Sequence, residues 1–390
     1  MNFRRIALTF AALWCCLAML TGCWDRKEMD ELAFVMASGL DLAENGELVT
    51  SLQIALPIGL PTPVQSKGKK SFVVLSEEGQ DGIDTLNKEQ QQLSRTIKLG
   101  LRRVIVIGES LGRHGLNQVL DTLMRSPESR YNSYIVTAYG TTAKEVLSTP
   151  YLLEEIPADG INNILKNDST LAVKADEFLD ALAAHGKSPV TAGIQLTKDA
   201  TGNPTFKLDK IAAYRGNKLV GFLSGDEQKA FRLFRENIHA LSWAVQFEPP
   251  NPEYKGTVNM NVLKVKRDIH TRMIEEKPAI TVHITVTGII NANDTELDMT
   301  NSEVHNRLER KYEDELKKAM ESAVSISQRE FKSDIFGFGR KVHTDHPYAW
   351  KKLKEQWDAM YSTIPVEVNI DVRIERFGRT QAAGHLIKRD

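Results

Sequence analysis

Three stretches of the chain carry residues whose types and spacing could do chemistry. In Leu20-Thr21-Gly22-Cys23, small residues expose the bond before a cysteine to a peptidase, and the thiol can then be alkylated with diacylglycerol. In Gly108-Glu109-Ser110-Leu111-Gly112, a serine flanked by glycines follows an apolar strand and precedes a helix, the setting of a hydrolase nucleophile elbow. In His343-Thr344-Asp345-His346-Pro347, two imidazoles and a carboxylate could be offered to a metal.

The elements around these residues decide between the readings. Met1-Asn2-Phe3-Arg4-Arg5 is a basic start, and the apolar run from Ile6 to Leu20 follows it directly up to the cysteine, which is the layout of a secretory signal peptide. As a helix that run rises roughly 22 Å, short of the ~30 Å hydrocarbon core, so it reads as a cleaved leader rather than a retained span. Residues 1–22 are therefore expected to be the signal peptide and 23–32 a lipidated tether beginning at Cys23. Behind Ser110, Gly112-Arg113-His114-Gly115 interrupts a helix, so Ser110 reads as a loop or capping residue rather than a nucleophile. A surface hydrolase using Ser110 is the least favoured function. No other His, Cys or acidic cluster has a spacing that completes a metal site with the histidine stretch, and Asp345 or Thr344 is expected to cap the helix bearing Trp350, with Pro347 in its first turn. Without a phosphate loop, a dinucleotide fingerprint or paired carboxylates at a recognisable spacing, no catalytic residue, metal or cofactor is expected.

Composition narrows the class further. The 390 residues hold 50 basic and 51 acidic side chains, a net charge of −1, which gives no basis for nucleic-acid binding. The runs Lys67-Gly68-Lys69-Lys70 and Lys264-Val265-Lys266-Arg267 read as solvated faces. Cys15 and Cys16 leave with the leader and Cys23 becomes a thioether, so no disulfide or thiolate metal site supports the fold and stability must come from burial.

The patterning predicts a mixed α+β and α/β fold of three domains, each a β-sheet with flanking helices. Residues 33–186 form the expected N-terminal α/β domain. It opens with a hairpin turned at Glu44-Asn45-Gly46 and continues through strands near Phe72–Leu75, Val104–Ile107 and Tyr134–Ala138, with helices between them. The first of these helices carries Ile83, Leu86, Leu93 and Ile97. Pro57 to Pro63 reads as a long loop. Gly186-Lys187-Ser188-Pro189 marks a boundary to a small β-rich domain over 187–240, with strands near Gly193–Thr197, Phe206–Tyr214 and Lys218–Leu223. The last domain, 241–390, has strands near Val258–Val265 and Ile280–Ile289. It then has a long helix over Ser302–Phe331 with its stripe on the core, a Trp350–Met360 helix and a closing strand from Val366.

Five segments in this order resemble the C-subunit lipoproteins of spore germinant receptors, the Ger(x)C family. They are Gly22-Cys23-Trp24-Asp25-Arg26-Lys27-Glu28, Gly39-Leu40-Asp41, Arg125-Ser126-Pro127-Glu128-Ser129-Arg130, the block Ala213–Leu223, and Asp334-Ile335-Phe336-Gly337-Phe338-Gly339 with His346-Pro347 and Trp350-Lys351. The resemblance implies a non-enzymatic lipoprotein subunit of a nutrient-sensing complex at the inner spore membrane, beside a polytopic A subunit and a transporter-like B subunit. It also implies three α/β domains, with Cys23 as the lipid-attachment residue. The competing function is a solute-binding lipoprotein of an uptake system, which would share the anchor but usually has two similar α/β lobes.

Overall fold

The computed structural model describes residues 28–56, 71–125, 131–167, 170–234, 238, 241–247, 256–295 and 301–376, together with the single positions 3, 7 and 14. Cys23 and its immediate neighbours, the Pro57–Pro63 stretch, the Lys67–Lys70 run and residues 126–130 of the Arg125–Arg130 block lie outside the described residues.

Among the described residues the first sheet contains β1 (Leu32–Leu42), β2 (Leu48–Ala55), β3 (Phe72–Gly79), β4 (Thr96–Lys98) and β5 (Val104–Ile107). It continues with β6 (Tyr134–Ala138), β7 (Val190–Lys198), β8 (Pro204–Arg215) and β9 (Lys218–Leu223). The order is β3-β2-β1-β5-β6-β7-β8-β9, with β4 beside the start of β1. Strands β1, β5, β6 and β7 run parallel, and antiparallel hairpins extend the sheet on either side. Parallel neighbours need crossovers, here supplied by helices on both faces, which explains why Val104-Ile105-Val106-Ile107 is apolar without alternation.

The helices of this half are α1 (Gly82–Gln91), α2 (Glu109–His114), α3 (Asn117–Arg125), α4 (Ala143–Ser148), α5 (Pro157–Lys166) and α6 (Ala175–Ala183). Val104 and Val106 share a core with α4 and α5, whereas Ile105 and Ile107 share one with α2, α3 and α6. The β1–β2 turn closes on Gly46 alone at positive φ, where the absence of a Cβ removes the steric cost.

The second sheet is β10 (Leu241–Phe247), β11 (Gly256–Ile274), β12 (Lys277–Asn293) and β13 (Val366–Arg376), joined in that order. Helix α7 (Gly225–Arg232) links the halves, and α8 (Ser302–Ser325) lies in the parallel crossover from β12 to β13. Asn301 caps α8 by accepting from the Glu303 and Val304 N–H groups. Its stripe of Leu308, Tyr312, Leu316 and Met320 is fully buried in the core of this sheet, as its spacing predicts. The flank of α8 beside this stripe is also used: Glu309 and Glu313 accept the Ile374 and Val372 N–H groups, which satisfies donors that an edge strand would otherwise present to solvent. Beyond α8 come α9 (Phe338–Asp345), α10 (Pro347–Leu353) and α11 (Trp357–Tyr361).

The mixed α/β class, with helices flanking sheets, is the architecture observed. Several boundaries differ from expectation. The strands expected to form a separate unit over 187–240 instead continue the first sheet, because β7 pairs in parallel with β6 through Val136–Ala138. Ile97 belongs to β4, not to the helix that carries Ile83 and Leu86. The Ser302–Phe331 helix changes to a π-helical turn at Ile326–Phe331, ended by left-handed Lys332, and the Trp350–Met360 helix is divided at Lys354–Gln356. Among the described residues no helix is long and apolar enough to cross a membrane.

Candidate functional site

In an open sheet of parallel strands, ligands bind outside the strands' carboxyl ends. Here that crevice is occupied by the chain itself. Asp41, at the end of β1, accepts from the Ala143 and Lys144 N–H groups at 2.8 and 3.0 Å, so its carboxylate sits where an anionic ligand would sit at the start of α4. Burial raises the Asp41 pKa and those two bonds lower it in part. Two glycines permit the contact. A Cβ on Gly39 would stand 3.0 Å from Ala143 Cβ, and one on Gly108 would overlap Asp41 Oδ1. Glu109 accepts from Gly140 N–H at 2.7 Å and from Arg113 at 2.8 Å, bridging β5 to the loop after β6.

Ser110 lies on this rim, one residue into α2. The helix starts directly behind β5 with Gly108 as its N-cap, so the expected interruption occurs later, at Gly115, where φ is 121°. Ser110 is thus a helical residue and not a loop or capping one. A nucleophile elbow holds its serine in a strained left-handed conformation; among the described residues the only non-glycine positions at positive φ are Glu275, Glu276 and Lys332.

The histidine stretch disperses rather than converges. His343 stacks on Trp350 with centroids 5.6 Å apart, His346 Nε2 meets the Thr271 carbonyl at 3.1 Å, and Asp345 accepts from Lys341 and Thr271. The N-cap of α10 is His346, not Thr344 or Asp345, while Pro347 does occupy the first turn. Among the described residues no group of three or more His, Cys, Asp or Glu side chains could hold a metal ion.

Two of the segments that carry the family resemblance, Ala213–Leu223 and the block from Asp334, instead meet at the junction of the two sheets. Asp334 is buried there, and its carboxylate accepts the N–H groups of Gly337, Phe338 and Gly339 and the Trp357 indole at 2.8–3.0 Å. Burial pushes its pKa up to about 6 against the pull of those donors. The Asp334 carbonyl receives the Ser188 N–H, and the Gly186 carbonyl receives that of Arg340. Ser333 donates to the Tyr214 carbonyl at 2.6 Å, and the Tyr214 hydroxyl bonds Thr137 inside the first sheet. Gly221 leaves room for the Phe331 ring, which a Cβ would penetrate. Beside this junction a cleft of about 620 Å³ is lined by Lys187, Arg232, Arg267 and Arg340 over an apolar floor that includes Phe231 and Phe234.

The two dissimilar sheets are thus locked together by a polar knot. Residues 25–196 match the model described as "Spore germination protein N-terminal domain", and residues 209–378 match "Spore germination B3/ GerAC like, C-terminal". The chain is 27% identical over 393 residues to spore germination protein KC of Bacillus subtilis (strain 168), covering 95% of this chain and 96% of that relative. It is 24% identical over 387 residues to spore germination protein B3 of the same organism, covering 96% and 99%. The crystal structure of the GerBC protein has the same fold, with a TM-score of 0.53 at 22% identity over 90% of this chain and 100% of that one. The chain therefore belongs to the Ger(x)C family of spore germination proteins.

Proposed function

We propose that this protein is the lipid-anchored, non-catalytic C subunit of a nutrient germinant receptor. Diacylglycerol on Cys23 holds it to the outer face of the inner spore membrane, beside membrane-embedded A and B subunits. The observation that carries the reading is the family membership of both halves of the chain, joined to a Leu-Thr-Gly-Cys start. The burial of Asp41 and Asp334 supports it, because these carboxylates spend their oxygens on the chain's own N–H groups instead of on a substrate. Two acyl chains, at about 0.8 kcal/mol per buried methylene, make such an anchor long-lived.

Cys23→Ala tests the proposal. The variant is expected in the soluble fraction, with no lipid on its amino terminus by mass spectrometry, and its spores are expected to germinate weakly on nutrients. A wild-type protein with a free, unlipidated amino terminus would overturn the anchoring; a Cys23→Ala spore that germinates at the normal rate would overturn its importance.

A further inference from the structure

The first sheet carries a second feature, which neither the junction nor the anchor uses. Between its β1–β2 face and helices α1 and α3 lies a cavity of about 220 Å³ walled by Leu40, Leu48, Leu52, Leu86, Val119 and Leu123. Ile83 and Arg125, both exposed, line it as well, so it opens to solvent between α1 and α3. Its inner end is polar. Glu89, six residues or about 9 Å along α1 from Ile83, is fully buried in the wall there. Its Oε1 accepts from Thr50 Oγ1 at 3.3 Å, while its Oε2 has no hydrogen-bond partner among the described residues. Arg102 also lines the cavity, but it donates to Ser38 Oγ at 3.4 Å and has further interactions of its own, so the polar group that awaits a partner is Glu89.

An unmet carboxyl oxygen in an apolar wall is destabilising. Water relieves this poorly, since a buried water needs two to four polar partners and most of this wall offers none. The terminal torsion of a glutamate is broad, so the carboxyl can turn to a ligand head without leaving its rotamer. Size and charge then define that ligand. A cavity of about 150 Å³ with such walls takes a benzene-sized molecule, so this one has room for about nine non-hydrogen atoms. Burial pushes the Glu89 pKa up to about 8, so at neutral pH the carboxyl keeps its proton. With Oε1 already accepting from Thr50, the O–H sits on Oε2 and needs an acceptor. A carboxylate or an ammonium would lose its hydration in this leucine-walled space. A hydroxyl or an amide accepts from the O–H without carrying a charge, and also has a donor for the carboxyl once it ionises.

We propose that this cavity binds an uncharged small molecule with an aliphatic or aromatic body and a single hydroxyl or amide head, the head bonding the Glu89 carboxyl and the body filling the leucine-lined space. The lining residues all belong to the first sheet and its helices, so the site can be tested on this chain alone.

The test is ligand-observed NMR titration of residues 23–390, carrying Cys23→Ala so that no detergent competes for the cavity, with four probes of similar size: benzyl alcohol, toluene, benzoate and benzylamine. Benzyl alcohol is expected to bind one-to-one and about tenfold more tightly than toluene, and the two ions more weakly than toluene. Glu89→Leu removes the unmet oxygen and is expected to fold at least as stably as the parent. In that variant toluene should still bind, and the preference for benzyl alcohol should vanish. Leu86→Trp, which fills the cavity, should melt cooperatively and bind neither. The proposal is overturned if none of the probes binds at millimolar concentration, if either ion binds more tightly than benzyl alcohol, or if toluene matches benzyl alcohol in the parent. It is equally overturned if Glu89→Leu keeps the preference or a folded Leu86→Trp protein still binds.

Discussion

Asp334 ties its own turn to Trp357 at the junction of the two sheets. Each of its two oxygens accepts two N–H donors, three from the backbone of its own turn and one from Trp357. Replacing either oxygen with an amide would leave two buried donors facing a third, so Asp334→Asn is expected to lower unfolding free energy by about 2–4 kcal/mol, measured by denaturant titration at neutral pH. A loss below about 0.5 kcal/mol, the size of an ordinary surface substitution, would show that the knot is dispensable. The sequence marks Asp334 only as part of a recurring block. Its role depends on Trp357, twenty-three residues away, a distance that no local pattern encodes. Glu89 is harder still to read: the buried positions of α1 are Thr85 and Glu89, while Ile83 is 57% exposed, so Ile83 points away from the true inner face. Asp41 is similarly hidden, because its partners are more than a hundred residues downstream.

At the scale of elements, local periodicity found the strands buried on both faces, Val104–Ile107 and Tyr134–Ala138, and the core stripe of α8. It missed β10, although Leu241, Trp243, Val245 and Phe247 are buried in strict alternation, the plainest signal a half-buried strand can give. It also stopped β11 near Val265. The strand runs on to Ile274 with mostly exposed side chains, so only its pairing with β12 reveals it. The Gly186–Pro189 stretch was legible as a break in pattern, yet it is a seam rather than a linker. Gly186 has a φ of +81°, and a Cβ there would lie 2.6 Å from Trp350 and 2.7 Å from the Gly339 carbonyl carbon. Gly46 is a matched control, with a φ of +85° and open space around it. Gly46→Ala should cost about 1–2 kcal/mol from backbone strain alone. Gly186→Ala should cost about 1–3 kcal/mol more for the overpacked junction, and equal losses in the two variants would refute a tight seam between the sheets.

At the scale of the whole molecule, the two sheets form one body, which the proposed lipid on Cys23 would hold on a short leash. From Cys23 to the first strand the chain spans about ten residues and at most roughly 35 Å, so a lipidated protein is confined to a thin layer over the bilayer. Confinement raises the effective concentration of its docking surface toward partners embedded in the same membrane. That concentration is a property of tether length, and it can be changed without touching the folded part. Inserting forty Gly/Ser residues after Lys27 lengthens the leash about fivefold, and with a −3/2 power dependence the effective concentration should fall by about tenfold. The elongated protein is expected to remain in the membrane fraction, because its anchor is intact, but to be recovered in smaller yield with membrane partners after crosslinking. Its spores should then respond to nutrient more slowly than the parent and faster than Cys23→Ala spores. An elongated protein that crosslinks and germinates as the parent does would mean that the anchor merely retains the protein, and that its docking affinity is high enough to make the leash irrelevant.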